Sequence, residues 1–138
     1  MNSEITYSFD ISNVDWGKLK KRLVDDNFDN GRTAEQYQLS FKNSFAVIFA
    51  MQNGEIIGKA RVLSDGVCNA YVVDVWTYTP FRHRGIATKM MHELEKKLAG
   101  QHVCLFTDDA MALYSKLCFR EEVTGMSKVV GRWLQAGS

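Results

Sequence analysis

The sequence predicts an α/β (α+β) chain, with a mixed, mostly antiparallel sheet of six or seven strands flanked by about four helices. Three observations carry this expectation. Apolar runs of strand length stand at 45–51 and 70–79, the second rich in Val, Tyr, Trp and Thr. Asn53-Gly54 separates the first run from a returning segment at 55–63, the strongest short hairpin signal. Between such runs lie segments with apolar residues every three or four positions, the spacing of an amphipathic helix. No repeat, linker or low-complexity tract interrupts the chain, so residues 1–138 read as one domain.

Taken in order, Ile5, Tyr7, Phe9 and Ile11 alternate as a half-buried strand. Asn13 can cap a helix whose apolar positions are Trp16, Leu19, Leu23 and Val24. Thr33 caps a second helix, with Glu35 near its start and Tyr37 and Phe41 on one face. The hairpin follows. After a turn at Ser64-Asp65-Gly66, the long strand 70–79 ends at Pro80, where a missing N–H does no harm. Arg84 to Leu98 reads as a helix, with Ile86, Met90, Leu94 and Leu98 at four-residue intervals and Gly100 closing it. A short strand, 102–106, precedes a fourth helix capped by Asp108 or Asp109 and running to about Leu117. Phe119 to Val123 and Ser127 to Leu134 read as two closing strands around Gly125. The order is β-α-α-β-β-β-α-β-α-β-β.

Composition narrows the function classes. With 46% hydrophobic and 24% charged residues, the chain is an ordinary globular sequence, not a disordered one. No apolar run approaches the roughly 18 residues of a membrane span, and the N-terminus does not read as a signal peptide. The cysteines Cys68, Cys104 and Cys118 are an odd count without CxxC spacing. A cytoplasmic protein without disulfides or a metal site is therefore expected. Cys104, which shares a strand face with His102, reads as a core residue, and His92 reads as a solvated one. A net charge of +1 argues against a nucleic-acid partner. The sum conceals two opposed clusters. Residues 25–35 hold four acids against Arg32, and residues 82–97 hold five cations against Glu93 and Glu95.

The most informative stretch runs from the long strand through Pro80-Phe81-Arg82-His83-Arg84-Gly85-Ile86-Ala87-Thr88. A strand enters a glycine turn that opens an amphipathic helix, and such a helix start is an anion site. Its free N–H groups point outward, and the helix dipole adds about half a positive charge. Gly85 and Ala87 leave the backbone approachable, while Arg82 and Arg84 add formal charge. The plainer alternative is that the arginines only solubilise a helix start. The segment Arg82-His83-Arg84-Gly85-Ile86-Ala87 resembles the Arg/Gln-x-x-Gly-x-Gly/Ala pyrophosphate loop of the GCN5-related N-acetyltransferase (GNAT) family. It is neither the GxGxxG fingerprint nor a Walker A loop. Downstream, Ala110 to Phe119, with Leu113-Tyr114 at its centre, resembles the family's closing signature. Cys118 stands in place of the usual glycine, Thr107 in place of a frequent asparagine, and the proline lies one place late. The likeness covers about residues 1–134.

The resemblance implies a GNAT-like fold and acetyl-CoA as co-substrate, with no metal, and a primary amine as acceptor. By analogy Arg82, His83, Arg84, Gly85, Ile86, Ala87 and Thr88 receive the pyrophosphate. Val75, Trp76 and Thr77 pair with the pantetheine arm, and an N–H near Val75 polarises the thioester carbonyl. Tyr114 then protonates the departing thiolate as general acid; its alternative role is helix packing. Direct attack needs a neutral amine, so a base is sought. Asp74 is the first candidate, with structural pairing to a lysine or arginine as its alternative. Glu35 and His83 are weaker ones. Phe28 and Tyr37, beside the acidic run, are the expected acceptor-site residues for a cationic small-molecule amine, unless they are core. A protein or peptide acceptor, an idle acyl-CoA-binding module and a homodimer remain open.

Overall fold

A computed structural model of the chain describes residues 4–122 and 124–134. The elements are β1 (Thr6–Ser8), α1 (Trp16–Asp25), α2 (Ala34–Lys42), β2 (Ala46–Gln52), β3 (Glu55–Ser64), β4 (Asn69–Thr77), α3 (Ile86–Glu95), β5 (His102–Cys104) and α4 (Met111–Lys116), with one 3-10 turn at Thr79–Phe81. The five strands lie side by side in chain order. The first three pairings are antiparallel, and β4 with β5 is parallel, so the sheet is mixed as the pattern of runs predicts.

Local chemistry explains most boundaries. β1 stops early because the backbone turns at Asp10, whose carboxylate accepts from the Ser12 N–H and hydroxyl. α1 takes its cap from Asp15, whose Oδ1 accepts from Lys18 N at 3.0 Å, so Asn13 does not cap it. α2 has the expected Thr33 cap, extended to a capping box by Gln36. The β2–β3 hairpin turns on Asn53 and Gly54, both at positive φ, as a two-residue primed turn requires. α4 starts at Ala110 without a side-chain cap; Thr107 Oγ1 accepts from Ala110 N instead of either aspartate serving the helix.

β2 is apolar from Ala46 to Met51 because helices cover both sheet faces. Ile48, Ala50, Ala60, Val62 and Val72 pack with Ile86, Met90 and Leu94 of α3 and with Tyr114. On the other face Val47, Phe49 and Trp76 pack with Trp16, Leu19 and Leu23 of α1 and Tyr37 and Phe41 of α2. Gly58 lets α3 lie close. A Cβ there would sit 3.2 Å from Ala50 Cβ and from Ile86 Cγ2.

Two expectations are corrected. The described chain beyond α4 forms no strand, so the sheet has five strands, not six or seven; Val123, in the first of the two expected segments, lies outside the described residues. Gly131 (φ 69°), inside the second expected segment, interrupts the extended backbone that a strand needs. The segment instead reaches the α1–α2 loop, where Trp133 Nε1 donates to Asn30 O at 3.0 Å. Because β5 is then a sheet edge, Cys104 and His102 are exposed and not core, and the other two thiols are exposed as well. Among the described residues no helix is long and apolar enough to cross a membrane.

Candidate active site

β4 and β5 pair only through Asn69–Tyr71 and His102–Cys104, and then diverge. The divergence opens a cleft of about 340 Å³ lined by Val72, Val73, Asp74 and Val75 on one side and by Leu105 to Ala110 and Tyr114 on the other, with Phe28 at its margin. The β4 wall is irregular. Trp76 faces Lys59 and Val73 faces Arg61, so Asp74 and Val75 together stand opposite Ala60. This is a β-bulge, and Asp74 occupies it at φ 59°, a left-handed conformation that costs a non-glycine residue about 1 kcal/mol.

Charge holds the bulge. The Asp74 carboxylate accepts from Arg32 Nη2 at 2.6 Å and from Arg61 Nε, and Lys59 Nζ lies 3.6 Å from Oδ1. Burial alone would raise its pKa, but Lys59, Arg32 and Arg61 win and hold it well below the usual carboxylate range. Lys59 is completely buried beneath the rings of Phe28, Tyr37 and Phe41. Burial lowers its pKa to about 8, against the attraction of Asp74. Of the two sequence readings of Asp74, pairing with cations is the one these bonds describe. A carboxylate so stabilised as an anion is a weak proton acceptor.

Tyr114 stands across the cleft on α4, buried to 8% exposure and in edge contact with Phe119. Burial, with the Asp109 charge adding to it, raises its phenol pKa above 10. The group is fully protonated at neutral pH and able to donate.

At the C-terminal end of β4, the 3-10 turn leads into Arg82–Gly85 and the start of α3. Gly85 is the N-cap residue at φ 79°, with no side-chain cap on the helix, and a Cβ added there would meet nothing within 4 Å. The first N–H groups of α3 therefore face an approachable surface. The flanking cations are partly committed. Arg82 Nε donates to Thr77 O at 3.1 Å, and Arg84 lies over the Phe81 ring. His83, at φ 65°, is exposed beside them. Ile86 anchors the turn in the core, and Ala87 and Thr88 remain half-buried.

The acidic run is not gathered at the cleft. Asp26 accepts from Trp76 Nε1 at 3.0 Å and from Thr79 N at 3.1 Å, tying the end of α1 to the end of β4. Asp29 accepts from Lys20 and from the Tyr37 hydroxyl. Tyr37 is buried in the second core, its phenol pushed up to about 12 mainly by burial and then by Asp29. Of the two expected acceptor-site residues, only Phe28 reaches the cleft. The Trp76 ring belongs to the core behind β4, leaving the backbone of Val75, Trp76 and Thr77 as what this strand can offer a ligand.

Comparison with known proteins decides the family. The Acetyltransferase (GNAT) family profile matches residues 10–119. This chain belongs to that family. The GNAT chain is 27% identical over 103 residues to an uncharacterized N-acetyltransferase of Pyropia yezoensis, spanning 69% of this chain and 59% of that protein. The match thus spans little more than half the length of that curated relative. A protein from Xanthomonas campestris pv. campestris assigned to the GNAT family superposes with a TM-score of 0.79 at 26% identity, over 92% of this chain and 94% of that one. A protein of unknown function from meticillin-resistant Staphylococcus aureus gives 0.80 at 18% identity over 92% and 99%. The second likeness speaks for the fold alone. The GNAT fold is built to bind acetyl-CoA, and the residues fit such a ligand. An uncapped helix start with an approachable glycine suits a pyrophosphate, and a strand wall released from its neighbour suits an extended arm.

Proposed function

We propose that the GNAT chain is an acetyl-CoA-dependent N-acetyltransferase that acts on a primary amine of a small molecule by direct attack in a ternary complex. The observation that carries this reading is the cleft between β4 and β5, with a bulged strand wall on one side and the Tyr114 phenol on the other. Acetyl-CoA supplies an activated acyl carbonyl and a thiolate leaving group. The N–H groups from Gly85 to Thr88 bind its pyrophosphate, reinforced by the cations of the loop. The backbone at Val75–Thr77 orients the arm, and an N–H near Val75 stabilises charge on the acyl oxygen. The Tyr114 hydroxyl gives its proton to the departing sulfur.

The amine must arrive neutral, whereas an alkyl ammonium has a pKa of about 10. We assign Asp74 to holding the bulge, and not to proton transfer, because Arg32 and Arg61 hold its carboxylate as an anion. Thiol release from acetyl-CoA against aryl, polyamine, amino-acid and peptide amines tests the whole reading. Turnover with a small amine is the expected result. Turnover only with peptides would move the acceptor class, and CoA binding without any transfer would make the chain a binding module.

A further inference from the structure

The Asp74 cluster sets three cations against one carboxylate, two more than charge balance requires. Lys59 and Arg61, both on β3, already more than neutralise the carboxylate from the neighbouring strand. Arg32 comes from elsewhere, 42 positions away in the α1–α2 loop, and is only 6% exposed. Its presence has an electrostatic cost, since its charge is among those that lower the Lys59 pKa. Burying charge is seldom a net gain in stability, so stability alone does not account for a third buried cation.

The geometry it fixes is the distance between two walls. Arg32 forks, with Nη2 donating to Asp74 at 2.6 Å and Nε donating to Asn30 Oδ1 at 3.1 Å in its own loop. The guanidinium lies over the Tyr37 ring, 4.1 Å from its centroid, which fixes its plane. The same loop is pinned at Asp29 by Lys20 and by Tyr37, and it carries Phe28 to the cleft margin. At the other end of the fork is the one residue of β4 in a left-handed conformation, directly before Val75.

We propose that Arg32 is a positioning residue for acetyl transfer. It couples the loop bearing Phe28 to the β4 bulge, so that the acceptor side of the cleft and the strand wall facing the acyl group keep one spacing. This rests on the function proposed above, and the test separates the two.

Amide hydrogen exchange is followed on the full chain and on Arg32→Gln, alongside calorimetric titration with coenzyme A and thiol release from acetyl-CoA. Arg32→Gln is expected to speed exchange about tenfold in both 28–31 and 74–77, the loss of one charged hydrogen bond, with α3 and the β2–β3 hairpin unchanged within about twofold. Coenzyme A affinity stays unchanged, and kcat falls without a rise in the acetyl-CoA KM. Arg32→Lys keeps the charge but cannot fork. It gives an intermediate effect confined to the same two segments, and decides the matter by itself if Arg32→Gln does not fold. Loosening of the loop alone, or equal loosening throughout, would overturn the coupling. Failure of the wild-type chain to bind coenzyme A would instead overturn the function, while the exchange data still judged the strut.

Discussion

Tyr114 and Asp74 face the same cleft with opposite electrostatic histories. The phenol is buried without a compensating cation and is held protonated, while the carboxylate is buried among three cations and is held ionised. A proton donor is thus available on the α4 side, and an anchor on the β4 side. Replacing Tyr114 with Phe keeps the ring against Phe119 and removes only the hydroxyl that would give the proton. Turnover at pH 7 should fall at least about tenfold, within the usual contribution of a general acid, with little change in coenzyme A affinity. Unchanged steady-state turnover, where chemistry limits the rate, would remove Tyr114 from the mechanism.

At the scale of elements, legibility in the sequence followed the range of the interactions involved. The Asn53-Gly54 turn, the Thr33 cap, the α3 stripe and the Gly85 turn depend on neighbours a few residues apart, and each was readable. The Asp74 cluster joins a loop, β3 and β4 across as many as 42 positions, and no local pattern announces it. Lys59 and Arg61 alternate on β3 as solvent-facing residues would, yet they point beneath α2. Residues 119–123 and 127–134 read as closing strands, but left-handed Gly131 breaks the second, and the exposure of Cys104 follows from that missing edge. The cap at Thr33 offers an independent check on the element that bears Tyr37. Thr33→Ala removes one half of the capping box and should cost about 1 kcal/mol, read as a shift in the urea midpoint at constant m.

For the molecule as a whole, the buried charges set how stability follows pH. Lys59 has a folded pKa of about 8, below the 10.5 of the exposed side chain, so the unfolded chain binds the extra proton between those values. Stability should therefore rise with pH from about 8 to 10, by at most roughly 1.4 kcal/mol per unit. Tyr37 acts oppositely only above pH 10, where its raised pKa withdraws stability as pH climbs towards 12. Asp74, with its lowered pKa, contributes stability that is present above 3.8 and lost as acid protonates the folded carboxylate. Urea melts of the wild-type chain and of Lys59→Met across pH 8–10 check the first term. The rise should vanish in the variant, and an equal rise in both would assign it to another group.

The two charge clusters of the sequence now have distinct places. Of the acids in 25–35, Asp26 and Asp29 tie α1 and its loop to β4 and to α2, and of the positive run only the first turn borders the helix start. That helix start carries the central claim, because without a bound pyrophosphate neither the cleft nor Tyr114 has a thioester to work on. Calorimetric titration of coenzyme A into the wild-type chain and into Gly85→Glu is the direct measurement. Saturable binding by the wild type and none by the variant is the predicted result, since Gly85 is at φ 79° with open space before it and a carboxylate there would occupy and repel. Equal binding by both proteins, or no binding by the wild type, would contradict the account.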